Sequence, residues 1–144
     1  MKKASNILLL IGEILEIVYA FLFLLLGVLF LVLTMPNFTQ ILVEGINNGS
    51  VRSSFQGTPE EIARAIQAMF AAFSVIMFVF AAFNAIGAII TIFARRKLSS
   101  GTLITAAVFS FIGGSVVAGV GAIFALVNNE NKPAIKAEEP NEFK

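Results

Sequence analysis

The sequence predicts an all-α integral membrane bundle of three transmembrane helices with one extracytoplasmic loop. Three observations carry that prediction. Uncharged stretches cover Ile17–Val43, Ala65–Ala94 and Leu98–Asn129, and all ten Lys/Arg and all nine acidic residues, every one a Glu, fall outside them. A helix needs about 20 consecutive apolar residues to cross bilayer hydrocarbon, and each stretch is long enough. Apolar residues make up 58% of the 144, where soluble domains hold about 45–50%, and mean hydropathy is +0.90. Soluble helices also keep a polar face at every turn, whereas Phe70–Phe83 and Thr102–Val127 contain no charged residue.

The first span is expected over Asn6–Thr34, with Ser5 or Asn6 as its cap and Pro36 as its stop, because the residue before a proline avoids helical geometry. Met1-Lys2-Lys3 followed by an apolar run resembles a secretory signal, but signal peptides use only about 7–15 apolar residues. No small-x-small cleavage pattern closes this run at Leu33-Thr34-Met35-Pro36. It reads as an uncleaved signal anchor. The loop Met35–Arg64 follows, with an apolar piece, Phe38–Ile46, suited to the membrane interface and a turn cluster at Asn47-Asn48-Gly49-Ser50.

Thr58-Pro59-Glu60-Glu61 is the sharpest local signal. Thr58 is placed as N-cap, Pro59 as N1 and Glu61 at N3 as the second half of a capping box, and both carboxylates suit the positive end of a helix. The second span, Ala65–Ala94, therefore lies within a longer helix running to Arg95–Lys97. At ~54 Å that helix projects its first two turns from the bilayer. Leu98-Ser99-Ser100-Gly101 is a tight connection, so the third span, Thr102–Val127, is expected antiparallel beside the second. Gly113-Gly114 reads as a site of close packing or a bend, because ~39 Å of helix is too short to cross twice. Asn128–Lys144, with Pro133, Pro140 and four Glu, reads as a disordered polar tail. The whole is a single membrane domain.

Orientation follows Lys and Arg near the span ends. Lys2, Lys3, Arg95, Arg96 and Lys97 crowd one side. Arg52, Arg64, Lys132, Lys136 and Lys144 are as many but lie mostly farther from the spans. Clustering predicts a cytoplasmic N-terminus, with the long loop and the tail outside. Asn37-Phe38-Thr39 and Asn48-Gly49-Ser50 fit the glycosylation sequon, but a cysteine-free chain opening Met-Lys-Lys reads as bacterial, which makes both coincidental.

Composition narrows the chemistry. A net charge of +1 is unlike the clustered basic face that nucleic acid requires. There is no Cys or His, and every acid is Glu, so thiolate chemistry, the usual metal ligands and Ser-His-Asp sites are absent. No cofactor and no enzymatic activity are expected. Two groups of residues remain as candidates. Glu13 and Glu16, three residues apart, share one helix face about 12 and 16 Å along a helix starting near Ser5. They lie either in the headgroup layer or within the membrane, where a carboxylate is expensive and suspect of function. Asn84, eleven residues before Arg95, and Ser110, nine after Gly101, fall at nearly the depth of Glu16. Together they form a candidate intramembrane cluster able to clasp helices by hydrogen bonds. The second group is a stripe of small residues at every fourth position, through Ala106, Ser110, Gly114, Ala118 and Ala122, which lets backbones approach closely. Ala68/Ala72 and Ala81/Ala85 are its counterparts on the second span.

The order of parts also resembles a family of small bacterial membrane proteins described only as a domain of unknown function (number 4064). The likeness lies in the Lys-flanked first span, the polar loop opening helix two, the basic hinge Ala94-Arg-Arg-Lys-Leu and the Gly-rich last span ending Gly121-Ala-Ile-Phe-Ala-Leu-Val. It covers most of the chain and implies a bacterial plasma membrane but no catalytic residues. The resulting expectation is a non-enzymatic small multi-pass protein acting through helix–helix contact, as an accessory subunit, regulator or immunity-type protein. The alternative is a small transporter or channel component using Glu13/Glu16. The expected partners are the lipid bilayer and either another membrane protein or a second copy of the chain.

Overall fold

The computed structural model describes residues 2–130. Five helices follow in order: α1 (Lys2–Val32), α2 (Pro36–Asn47), α3 (Pro59–Lys97), α4 (Ser100–Ile112) and α5 (Val116–Glu130). The described residues contain no strand, so the chain is all-α. Among the described residues only α1 and α3, at 31 and 39 residues, are long and apolar enough to cross a membrane. Large apolar side chains lie exposed along their lengths, among them Ile14, Phe21, Leu29, Val75, Val79 and Ile89. The interior is small instead, with Ala63, Ala81, Ala88 and Ala94 buried on α3. A soluble helix reverses that arrangement, whereas lipid tolerates large apolar side chains outside and rewards close backbone approach within.

α1 frays into a turn, where the Thr34 hydroxyl donates to Leu31 O at 2.7 Å, and Pro36 then opens α2 at N1. The apolar piece Phe38–Ile46 thus belongs to a helix of 12 residues. It docks on the first turns of α3: Gln67 Nε2 donates to Thr39 Oγ1 at 2.7 Å, and the rings of Phe38 and Phe70 lie 6.3 Å apart. The capping box forms as read. Glu61 N–H donates to Thr58 Oγ1 at 3.3 Å and Thr58 N–H to Glu61 Oε2 at 2.9 Å.

α3 runs antiparallel to α1. Phe30 meets Phe70 and Phe73, Phe23 meets Phe80, and the Ser74 hydroxyl donates to Gly27 O at 2.9 Å. Leu98, in the left-handed conformation at φ 48°, then reverses the chain, and Ser99 caps α4 by accepting from Thr102 N–H.

The largest departure from the sequence reading lies in Thr102–Val127, which is not one helix. It breaks at Gly113–Ser115 into α4 and α5. Ser115 N–H donates to Ser110 O at 2.7 Å and Gly114 N–H to Phe111 O at 3.2 Å, while Gly114 takes φ +84°. That pattern is a Schellman motif with glycine at its left-handed position. α5 then folds back against α4: Gly119 faces the Phe111 ring, and Ala122 and Ala125 share a core with Leu103 and Ala106. Leu9 of α1 and Ala94 of α3 complete that core. α5 also lies on α1, where the backbones of Gly12 and Ala118 touch and Gly121 rests on Leu8 and Leu9. The pair is a helical hairpin whose two ends lie on the same side.

Three expectations are corrected by this hairpin. α4, at 13 residues, is ~20 Å long, too short to span ~30 Å of hydrocarbon. α5 brings Asn128 beside Ala4, Ser5 and Leu8, so its last turns lie by the start of α1 and not at the opposite end of the bundle. Gly114 belongs to the turn and not to a packing stripe, since nothing lies within 4 Å of where its Cβ would be. The polar tail falls, from residue 131 on, outside the described residues.

Candidate functional site

The hairpin tip packs on the α1–α3 pair, and five of the buried polar residues, Glu16, Asn84, Thr91, Ser110 and Ser115, gather there. Three levels follow one another from the N-terminal side inward. Outermost, Arg95 Nη2 lies 3.0 Å from Glu13 Oε2, with side-chain exposures of 33% and 13%. Arg95 is a partner that sequence reading did not assign to Glu13. It sits at the basic end of α3, and the antiparallel register of α1 and α3 brings the two together.

At the middle level Glu16 is 0% exposed. The Ser110 hydroxyl of α4 donates to its Oε1 at 2.5 Å. Gly87 of α3 makes the room: a Cβ there would lie 3.1 Å from the same Oε1. Thr91, one turn farther along α3 and also 0% exposed, has a hydroxyl oxygen without a hydrogen-bond partner. Oε2 of Glu16 has no hydrogen-bond partner.

At the innermost level Asn84, 1% exposed, donates through Nδ2 to Gly113 O and to Phe80 O, both at 2.9 Å. It thus holds the backbone of the hairpin turn to α3. Its Oδ1 is buried without a partner, as is the hydroxyl of Ser115. Gly113 is closed in by this contact, since a Cβ on it would sit 3.2 Å from Asn84 Oδ1.

The depth reading therefore placed Glu16, Asn84 and Ser110 near one another, but their pairing differs from a single clasp. Ser110 binds Glu16, while Asn84 binds main chain at the turn, so loss of the Glu16 carboxyl leaves Asn84 partnered. Glu13 stands apart in its own ion pair. Of the small-residue stripe, Ala106, Ser110, Ala118 and Ala122 are all 0% exposed. They face one another across two antiparallel helices and do not line one face of a single helix. Thr91 and Ser115 were missed. Thr91 lies seven residues after Asn84 on the same helix face, a spacing that could have revealed it. Ser115 had no such signal, because its position depends on the turn.

Among the described residues no three Glu lie close enough together to hold a metal ion. No family model, curated protein or solved structure matches the chain.

Proposed function

We propose that this chain is a non-enzymatic multi-pass protein of a bacterial plasma membrane that works by packing against another membrane helix. α1 and α3 are its two crossings, and the α4–α5 hairpin is re-entrant from the cytoplasmic side. The basic residues at the helix ends support that orientation. Lys2, Lys3, Arg95, Arg96 and Lys97 fall on one side, against Arg52 and Arg64 on the other. The positive-inside rule makes the richer side cytoplasmic.

The observation that carries the interaction reading is a lipid-facing groove of about 430 Å³ between α1 and α3, lined by Ile17, Ala20, Phe21, Leu24, Ala81, Ala82 and Ala85. Ala81 and Ala85 form a small-xxx-small pair, and Ala20 adds a third low wall. Small residues let a foreign helix backbone approach closely, and such packing drives association where the hydrophobic effect is lost. Transport is less well supported. Beyond Asn84 the α1–α3 seam holds Phe23, Phe80, Phe30 and Phe73, and the buried Ser74 hydroxyl there is taken up by Gly27 O.

Ala85→Cys in the cysteine-free background tests the reading. Oxidative crosslinking in native membranes is expected to give a defined higher-mass species, a dimer or a heteromer. Ala85→Leu, which fills the groove, is expected to abolish association measured through a second crosslinking site at Ala82→Cys. Unchanged crosslinking in the filled variant would refute it.

A further inference from the structure

We propose that Glu16 at the hairpin tip is the binding site of one small monovalent cation, a proton or a sodium ion, held between α1, α3 and the hairpin. The argument begins with charge. The charged side chains nearest Glu16 on the helices packed around it are Glu13, on its own helix, and Arg95 on α3. Those two are already paired at 3.0 Å. Arg95 is also eight residues beyond Gly87, the residue facing Glu16, a displacement of ~12 Å along α3. α4 has no charged residue, and α5 has only Glu130 at its far end. At the tip the C-terminal end of α4 and the N-terminal start of α5 lie side by side, so their dipoles oppose one another.

An ionised carboxyl at 0% exposure with a single hydroxyl donor is therefore uncompensated. Burying a lone charge costs more, even after relaxation, than one Ser–carboxylate hydrogen bond returns. One positive charge resolves the deficit, and Oε2 is the atom left without a partner to receive it. The surroundings favour a hard, oxygen-seeking cation. The three levels hold further buried oxygens without a hydrogen-bond partner, Thr91 Oγ1, Asn84 Oδ1 and Ser115 Oγ, while Glu13 Oε2 and Arg95 Nε belong to the ion pair. A helix broken inside an apolar bundle, with hydroxyls beside a carboxyl, is the setting in which membrane proteins coordinate sodium or carry protons. This inference is independent of the groove, which Glu16 does not line.

The test uses the full chain in liposomes, with infrared spectra of the carboxyl region recorded in choline chloride and in sodium chloride. The Glu16 signal is the band lost in Glu16→Gln. Ser110→Ala, which removes the Oε1 hydrogen bond while sparing the acid, shifts the same band and identifies it if Glu16→Gln fails to fold. Conversion of a protonated carboxyl band to a carboxylate band on replacing choline by sodium at constant pH identifies sodium. Conversion by pH with no response to sodium identifies the proton. A Glu16 signal unmoved by both, or a Ser110→Ala spectrum superimposable on the wild-type one, overturns the proposal.

Discussion

Gly12→Ala removes the closest approach in the bundle and measures how much stability the α1–α5 contact carries. A Cβ on Gly12 would overlap the backbone and Cβ of Ala118, and a Cβ on Gly121, nearer the helix ends, would lie 3.0 Å from Leu9 N and 3.1 Å from Leu8 C. Ordinary contact begins near 3.4 Å. Gly121→Ala therefore requires α5 to retreat by ~0.4 Å, and Gly12→Ala by more, and in both cases the obstacle is main chain that cannot rotate away. Overpacking of this kind costs about 1–3 kcal/mol. The change from Gly to Ala within a helix returns up to about 1 kcal/mol. The net expectation is ~0–2 kcal/mol of destabilisation for Gly121→Ala and ~1–2 kcal/mol or more for Gly12→Ala. Gly101→Ala is the control, because nothing lies within 4 Å of its Cβ position, and it should be neutral or stabilising by up to about 1 kcal/mol. Unfolding in mixed micelles, followed by loss of helical circular dichroism, ranks the three variants. If Gly12→Ala unfolds no earlier than Gly101→Ala, α5 does not lie against α1 and the hairpin is wrong.

Two further outcomes separate the hairpin from a single third span. Cysteines introduced at Ser99 and Asn128 should react with maleimide from the same side of the membrane, and one at Asn48 from the other; reaction of the Asn128 and Asn48 variants together would restore the third crossing. Asn84→Leu should free the Gly113 carbonyl, at a cost of about 1–3 kcal/mol for a stranded buried acceptor. Because the loss falls on the turn, amide exchange should quicken in α4 and α5 while α1 and α3 keep their protection, and uniform exchange across all helices would contradict Asn84 as a local clasp.

The membrane character, the all-α class and the register of α3 follow from the sequence because each rests on local physics. Continuous apolar length identifies a helix suited to hydrocarbon without reference to any neighbour. Thr58-Pro59-Glu60-Glu61 caps α3 through contacts within four residues, which is why the capping box reads directly. Depth is also local, since 1.5 Å per residue from a basic end brought Glu16, Asn84 and Ser110 to nearly one level. The fate of Thr102–Val127 was beyond such reasoning. An apolar run of that length satisfies the bilayer either as one crossing or as two shorter helices folded on each other, and Gly113-Gly114 suits both. The choice depends on whether α5 finds a surface to bury against. Gly12 and Gly121, each more than a hundred residues in sequence from the residue it touches, supply that surface only once α1 and α5 meet. The same holds for Arg95 with Glu13 and for Gly87 with Glu16, where one residue's role is defined by the helix opposite. Tertiary structure decided these points because close packing is a property of pairs of surfaces, and a periodic pattern on one strand of sequence describes only half of each pair.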